Sequence, residues 1–126
     1  MKMVETRYSG KNGAHYSPAV VNKGIAYISG QLSVNPETGK VPEGGVNAET
    51  HQALSNLQTV LDAVGAKRTD VFLCRVYTPD VSRWDEINAI YGEFFGNHKP
   101  ARVIVPTNKL HFGCLVEIEA MANVAD

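Results

Sequence analysis

Segment 71–77 is apolar on both of its alternating faces: Val71, Leu73 and Tyr77 point one way, Phe72, Cys74 and Val76 the other. A strand with that pattern has to be covered on both sides. The means of covering it are scarce, because two segments alone carry a clear helical period. Over 46–64, Val46, Thr50, Ala53, Leu54, Leu57, Val60, Leu61 and Val64 form one stripe, and Gly65 follows where helices commonly stop. The second begins near Ser82, read as N-cap of a capping box with Asp85 three residues on. It places Trp84, Ile87, Tyr91, Phe94 and Phe95 on one face and ends at Gly96. Two helices cover one face of a sheet. The other face needs a second subunit or a sheet curled over itself; in a chain of 126 residues the subunit is the more economical cover, so an oligomer is expected.

The remaining elements read as strands. Segments 4–7, 19–21, 24–29, 31–34, 71–77, 101–105 and 114–122 carry the apolar or alternating pattern, with a hairpin-like break at Asn22-Lys23 and a turn-rich loop at Asn35-Pro36-Glu37-Thr38-Gly39. The order is strands, helix, strand, helix, two strands, which predicts one α+β domain over 1–126 without repeats or a linker.

Charge narrows the partners. Twelve basic residues face thirteen acidic ones, so no net field draws the chain to nucleic acid or to an acidic membrane. No apolar run is long enough to cross a bilayer, and residues 1–8 contain no signal-peptide core; a cytoplasmic location is expected. Cys74 and Cys114 lie in apolar strand-like runs and need no partner as buried thiols, although neighbouring strands would allow a disulfide.

Alternation along 114–122 puts Cys114, Val116, Ile118, Ala120 and Ala122 on one face and Leu115, Glu117, Glu119 and Met121 on the other. Two carboxylates on a face that needs cover point either to a working cleft or to solvent and an intersubunit ion pair. Arg102 interrupts an apolar stretch and shares a face with Ile104; its planar fork suits a carboxylate, from a ligand or from Glu117 or Glu119. Ser29 precedes Gly30, where the backbone bends or is closely approached, and no Gly-x-Ser-x-Gly elbow marks it as a nucleophile. Tyr16 either caps a pocket or packs as an ordinary aromatic, and Asn88 reads as a solvated helix position. The four histidines show no metal-ligand spacing, and no phosphate loop or dinucleotide fingerprint is present, so neither a metal nor a nucleotide cofactor is expected.

Taken in order, His15-Tyr16-Ser17-Pro18-Ala19, Tyr27-Ile28-Ser29-Gly30-Gln31, Asn35-Pro36-Glu37-Thr38-Gly39, Asn88-Ala89-Ile90-Tyr91, Pro100-Ala101-Arg102 and Val116-Glu117-Ile118-Glu119-Ala120 resemble the RidA (YjgF) family across nearly the whole chain. The resemblance implies a chorismate-mutase-like α+β fold, a mixed sheet with two helices packed on one face, and a homotrimer with a pocket at each subunit interface. It implies hydrolysis of 2-imino acids and their enamines, released by pyridoxal-phosphate dehydratases, to 2-keto acids and ammonia, with no cofactor. By position, Arg102 would hold the substrate carboxylate and Glu117 would position or activate water. Tyr16, Ser29, Gly30 and Asn88 would line the pocket. Val103-Ile104 departs from the small residue and cysteine of many relatives, so Ile104 would bring apolar bulk to the pocket wall, and the stretch from Tyr91 to Arg102 is shorter than usual. Two other functions compete: a non-catalytic binder of small carboxylates, which needs Arg102 but no water-activating group, and RNA binding or cleavage, against which the balanced charge counts.

Overall fold

The computed structural model describes residues 1–10 and 13–125. Its centre is one six-stranded sheet built from β1 (Lys2–Val4), β2 (Ala19–Asn22), β3 (Ile25–Leu32), β4 (Val71–Thr78), β5 (Ala101–Pro106) and β6 (Glu117–Asn123). Across the sheet the order is β1-β2-β3-β6-β4-β5; every neighbouring pair is antiparallel except β4 and β5, which run parallel through the connecting helix α2 (Trp84–Phe95). The other helix, α1 (Gly45–Val64), links β3 to β4.

Local chemistry explains the boundaries. Asn22 pairs with Ile25, so the hairpin turn is Lys23-Gly24, one residue later than expected, and both residues take positive φ as a tight primed turn demands. α1 closes at Gly65, whose φ of 76° is the left-handed stop foreseen for it. At the start of α2 the cap is Asp80 and not Ser82. The Asp80 carboxylate accepts from the Ser82 backbone N–H and hydroxyl, and a 3-10 turn at Val81–Arg83 precedes the helix. Gly30 does not divide two strands: β3 runs through it as a single strand with an irregular register between Ile28 and Gln31. The last strand begins at Glu117 rather than 114, because the Leu115 N–H is drawn to the buried Glu49 carboxylate at 2.8 Å instead of to a ladder partner. The first strand covers Lys2–Val4, not 4–7, and pairs with Ala19–Val21.

Both helices pack on one face. Ala26, Ile28, Cys74, Val76, Ile118, Ala120 and Ala122 from the sheet meet Leu54, Leu57, Leu61, Ile87 and Tyr91 from the helices in one buried cluster. Cys74 and Cys114 are buried free thiols. The opposite face stays open within the chain. Register aligns Met3, Val20, Tyr27, Met121 and Leu73 in one row across it, followed by Val103, Arg75 and Glu119, then by Tyr77, Glu117 and Leu32. Met3 is 69% exposed, Tyr27 41% and Val103 47%, an apolar display that a lone sheet in water would not retain without cost. No helix among the described residues is long and apolar enough to cross a membrane.

Candidate active site

Arg102 lies on β5, the outer strand, directly opposite Cys74, and Ile104 lies opposite Val76. Since Cys74 and Val76 are buried beneath the helices, Arg102 and Ile104 share the helix-covered face, as the alternation predicted. At the sheet edge the guanidinium reaches α2: Nη1 donates to Asn88 Oδ1 at 2.9 Å, and Cζ lies 4.7 Å from the Tyr91 ring centre and 5.4 Å from that of Trp84. Asn88 is therefore a half-buried acceptor, not the solvated position expected of it. Ile104 packs against the core beside it.

Glu117 opens β6 and stands opposite Leu32 on one side and Tyr77 on the other, on the face without helices. Its neighbour two residues on is engaged: Glu119 accepts from the Tyr77 hydroxyl and pairs with Arg75 at 3.8 Å. The Glu117 carboxylate has no hydrogen bond or ion pair among the described residues. Partial burial, and next the negative charge of Glu119, lift its carboxyl above the ordinary glutamate range. Its room is made by Gly30, where a Cβ would stand 2.6 Å from Glu117 Oε2. Gly30→Ala is thus expected to push the carboxylate aside, a shift that a crystal structure of the variant would show. Because the displaced atoms are the end of a flexible side chain, the denaturant midpoint should barely move. A variant with the Glu117 carboxylate in its original place would contradict the role given to Gly30.

Ser29 and Tyr16 lie near Gly30. The Ser29 hydroxyl donates to the Ser17 carbonyl at 2.6 Å, and the Ser29 N–H donates to the Pro18 carbonyl at 2.9 Å, which ties the segment after Tyr16 to β3. Tyr16, 60% exposed, borders a cavity of about 360 Å³ together with Gly30, Leu32, Val60 and Phe112. Phe112 carried no signal in the sequence; it holds a left-handed φ of 61° and is largely exposed. Trp84 and Tyr91 were expected only to share one face of the second helix, and their contact with Arg102 was not anticipated. The signal was present in their spacing, since Trp84, Asn88 and Tyr91 at i, i+4 and i+7 form one stripe of α2.

The predicted residues thus form two groups. Arg102, Asn88 and Ile104 lie together on the helix-covered face at the outer strand; Glu117 and Gly30 meet on the open face, with Ser29 and Tyr16 adjoining. β4 pairs with both β5 and β6 and stands between the two groups. Within one chain the guanidinium and the Glu117 carboxylate face away from each other across the sheet.

The fold has counterparts in known proteins. Residues 9–124 match the family model described as Endoribonuclease L-PSP. The chain belongs to that family, the RidA (YjgF) family. A RutC family protein of Pyrococcus horikoshii is 37% identical over 107 residues, 85% of each chain. The human 2-iminobutanoate/2-iminopropanoate deaminase is also 37% identical over 107 residues, 85% of this chain and 78% of its own. Among solved structures, Escherichia coli TdcF with bound serine superposes with a TM-score of 0.90 at 28% identity, covering 99% of this chain and 100% of that one. RidA-family names therefore span a nuclease, a deaminase and a bare family label, and the choice among them rests on the chemistry of this chain's own site.

Proposed function

We propose that this RidA-family chain is a deaminase of small 2-imino acids, working at a pocket completed by two copies of the chain in a homotrimer. The observation that carries it is the complementarity of the two groups: a half-buried arginine and, on the opposite face, a glutamate of raised pKa with no partner of its own. The human relative bears the name of a 2-iminobutanoate/2-iminopropanoate deaminase, and the bacterial one holds serine, itself a small amino acid with a carboxylate. Covering the open sheet face with a second copy would shield its apolar row and bring the two groups to one junction. The chain would do this work in the cytoplasm, beside the dehydratases that release such imines.

The reaction asks little of the protein. A protonated imine is electrophilic already, so the site has to hold the carboxylate, orient a water and accept its proton. Arg102 clamps the carboxylate by paired N–H groups. Glu117 takes a proton from water as the oxygen bonds to the imine carbon, giving a carbinolamine. That proton passes to the nitrogen, the carbon–nitrogen bond breaks as ammonia leaves, and the hydroxyl proton passes by way of Glu117 to the ammonia, leaving keto acid and ammonium. Iminium plus water thus balances against keto acid plus ammonium, with no covalent enzyme intermediate. A balanced charge of −1 gives an RNA backbone no attracting field, which favours this reading over the nuclease description.

The direct test adds the protein to a serine or threonine dehydratase reaction and follows keto-acid release. Faster release at unchanged dehydratase activity is expected; saturable keto-acid binding without any acceleration would favour a non-catalytic binder instead.

The pH profile carries a separate prediction. Glu117 acts as a base when ionised, and its pKa lies above the ordinary value of about 4.3. The acid limb of kcat/KM should therefore fall at a pH above that of a free glutamate. Burial is the larger cause and Glu119 the lesser, so Glu119→Gln, which removes a repelling charge, should move the limb part of the way to lower pH. A limb that stays in place or rises would mean that Glu117 is not the titrating base.

A further inference from the structure

Trp84, Asn88 and Tyr91 occupy one stripe of α2, and at about 1.5 Å per residue the backbones of the two aromatic residues lie about 10.5 Å apart along the axis. The Arg102 Cζ atom is 5.4 Å from one ring centre and 4.7 Å from the other, and Nη1 donates to Asn88, which stands between the rings in the stripe. The guanidinium therefore sits in the gap between the rings. A cation close to aromatic rings is held by their quadrupoles, and the bond to Asn88 restrains the swing of the planar group about the Cδ–Nε bond.

The bond to Asn88 also decides which edge is left. A carboxylate approaching the Nη1–Nη2 end would have to share Nη1 with Asn88. At the other edge, Nε and Nη2 have both N–H groups unengaged among the described residues. Tyr91 is itself firmly placed: it is 6% exposed, packs on Phe95 with ring centres 4.8 Å apart, and its buried hydroxyl is beside the Cys74 thiol, away from the guanidinium's hydrogen bonds. The ring, not the hydroxyl, is the useful part of this side chain. Trp84, 39% exposed, closes the outer side.

We propose that Trp84 and Tyr91 are positioning residues that hold the Arg102 guanidinium in one plane and present its Nε–Nη2 edge to the carboxylate of a small 2-keto or 2-imino acid. The proposal rests on the carboxylate-binding role given to Arg102 above and adds the residues that set its geometry. An arginine free to turn would bind the same carboxylate with several orientations of the imine carbon relative to the water; a fixed one presents a single orientation.

The test uses the full chain and two readouts, one of which needs no ligand. In ¹⁵N spectra of the free protein, the Arg102 Nε–H signal should be sharp and slow to exchange, identified by its absence in Arg102→Ala. Trp84→Leu and Tyr91→Leu should broaden it and weaken calorimetric binding of 2-oxobutanoate about tenfold. Tyr91→Phe, which keeps the ring, should restore both. Trp84 is partly exposed, so its variant reports even if Tyr91→Leu fails to fold. An Nε–H signal unchanged in Trp84→Leu overturns the clamp, whatever the imine assay shows. A signal that responds in a protein without imine turnover would keep the clamp and remove the deaminase reading.

Discussion

Arg102→Ala is expected to lower kcat/KM for imine hydrolysis by about a hundredfold to a thousandfold while the protein stays folded. Truncating one side of a charge-assisted, partly buried contact costs about 2–5 kcal/mol, and each 1.4 kcal/mol is a factor of ten. Part of the loss would appear in KM, since the arginine holds the substrate carboxylate before and during the reaction. The fold should tolerate the change. Arg102 is on an outer strand and, among the described residues, its guanidinium donates to the Asn88 side chain alone, so Asn88 loses a donor at a half-buried position where water can replace it. Arg102→Lys separates charge from geometry: an ammonium keeps the charge but cannot offer two parallel N–H groups, so it should recover only part of the activity. Steady-state kinetics on imines from two or more amino acids would measure both, and a wild-type kcat/KM in Arg102→Ala would contradict the assigned role.

Glu117→Gln should act on the other kinetic constant. The amide is nearly isosteric and fits the space beside Gly30, but it cannot accept a proton from water. Loss of a general base typically costs two to four powers of ten, so kcat should fall by about a hundredfold to ten-thousandfold. Affinity for 2-oxobutanoate should change little, because the arginine remains. Removing a carboxyl already raised by burial and by Glu119 takes away a repulsion, so thermal stability should hold or rise. A kcat that survives the substitution would assign water activation to some other group. Together the two variants separate holding the acid from attacking it.

Much of this was legible before any coordinates. Strict alternation over Glu117, Glu119 and their apolar neighbours depends on the strand period alone, and both carboxylates do share the open face. The stripe of α1 and its glycine stop are equally local, and they fell where expected. What could not be read were contacts between elements. Asn88 and Arg102 are fourteen residues apart, on a helix and a strand, and nothing in either segment says that one side chain will accept from the other. The same holds for Leu115, which is diverted from the sheet by Glu49 sixty-six residues earlier and so delays the last strand. Asp80 was overlooked as a cap because a 3-10 turn sits between it and the helix proper. Phe112 had no periodic pattern around it to interpret.

The open sheet face bears directly on the proposed pocket. Its exposed apolar residues fit cover by a second copy of the chain, and the pocket proposed for Arg102 and Glu117 requires one. An account in which each pocket takes its arginine from one chain and its glutamate from another has a direct measurement. Arg102→Ala and Glu117→Gln chains, each inactive, are unfolded together, refolded as a mixture and assayed. With random assembly, about a quarter of the junctions would join an intact arginine to an intact glutamate, and activity should return to about that fraction of wild type. A mixture as inactive as its two components, in oligomers shown to contain both chains, would contradict a shared pocket.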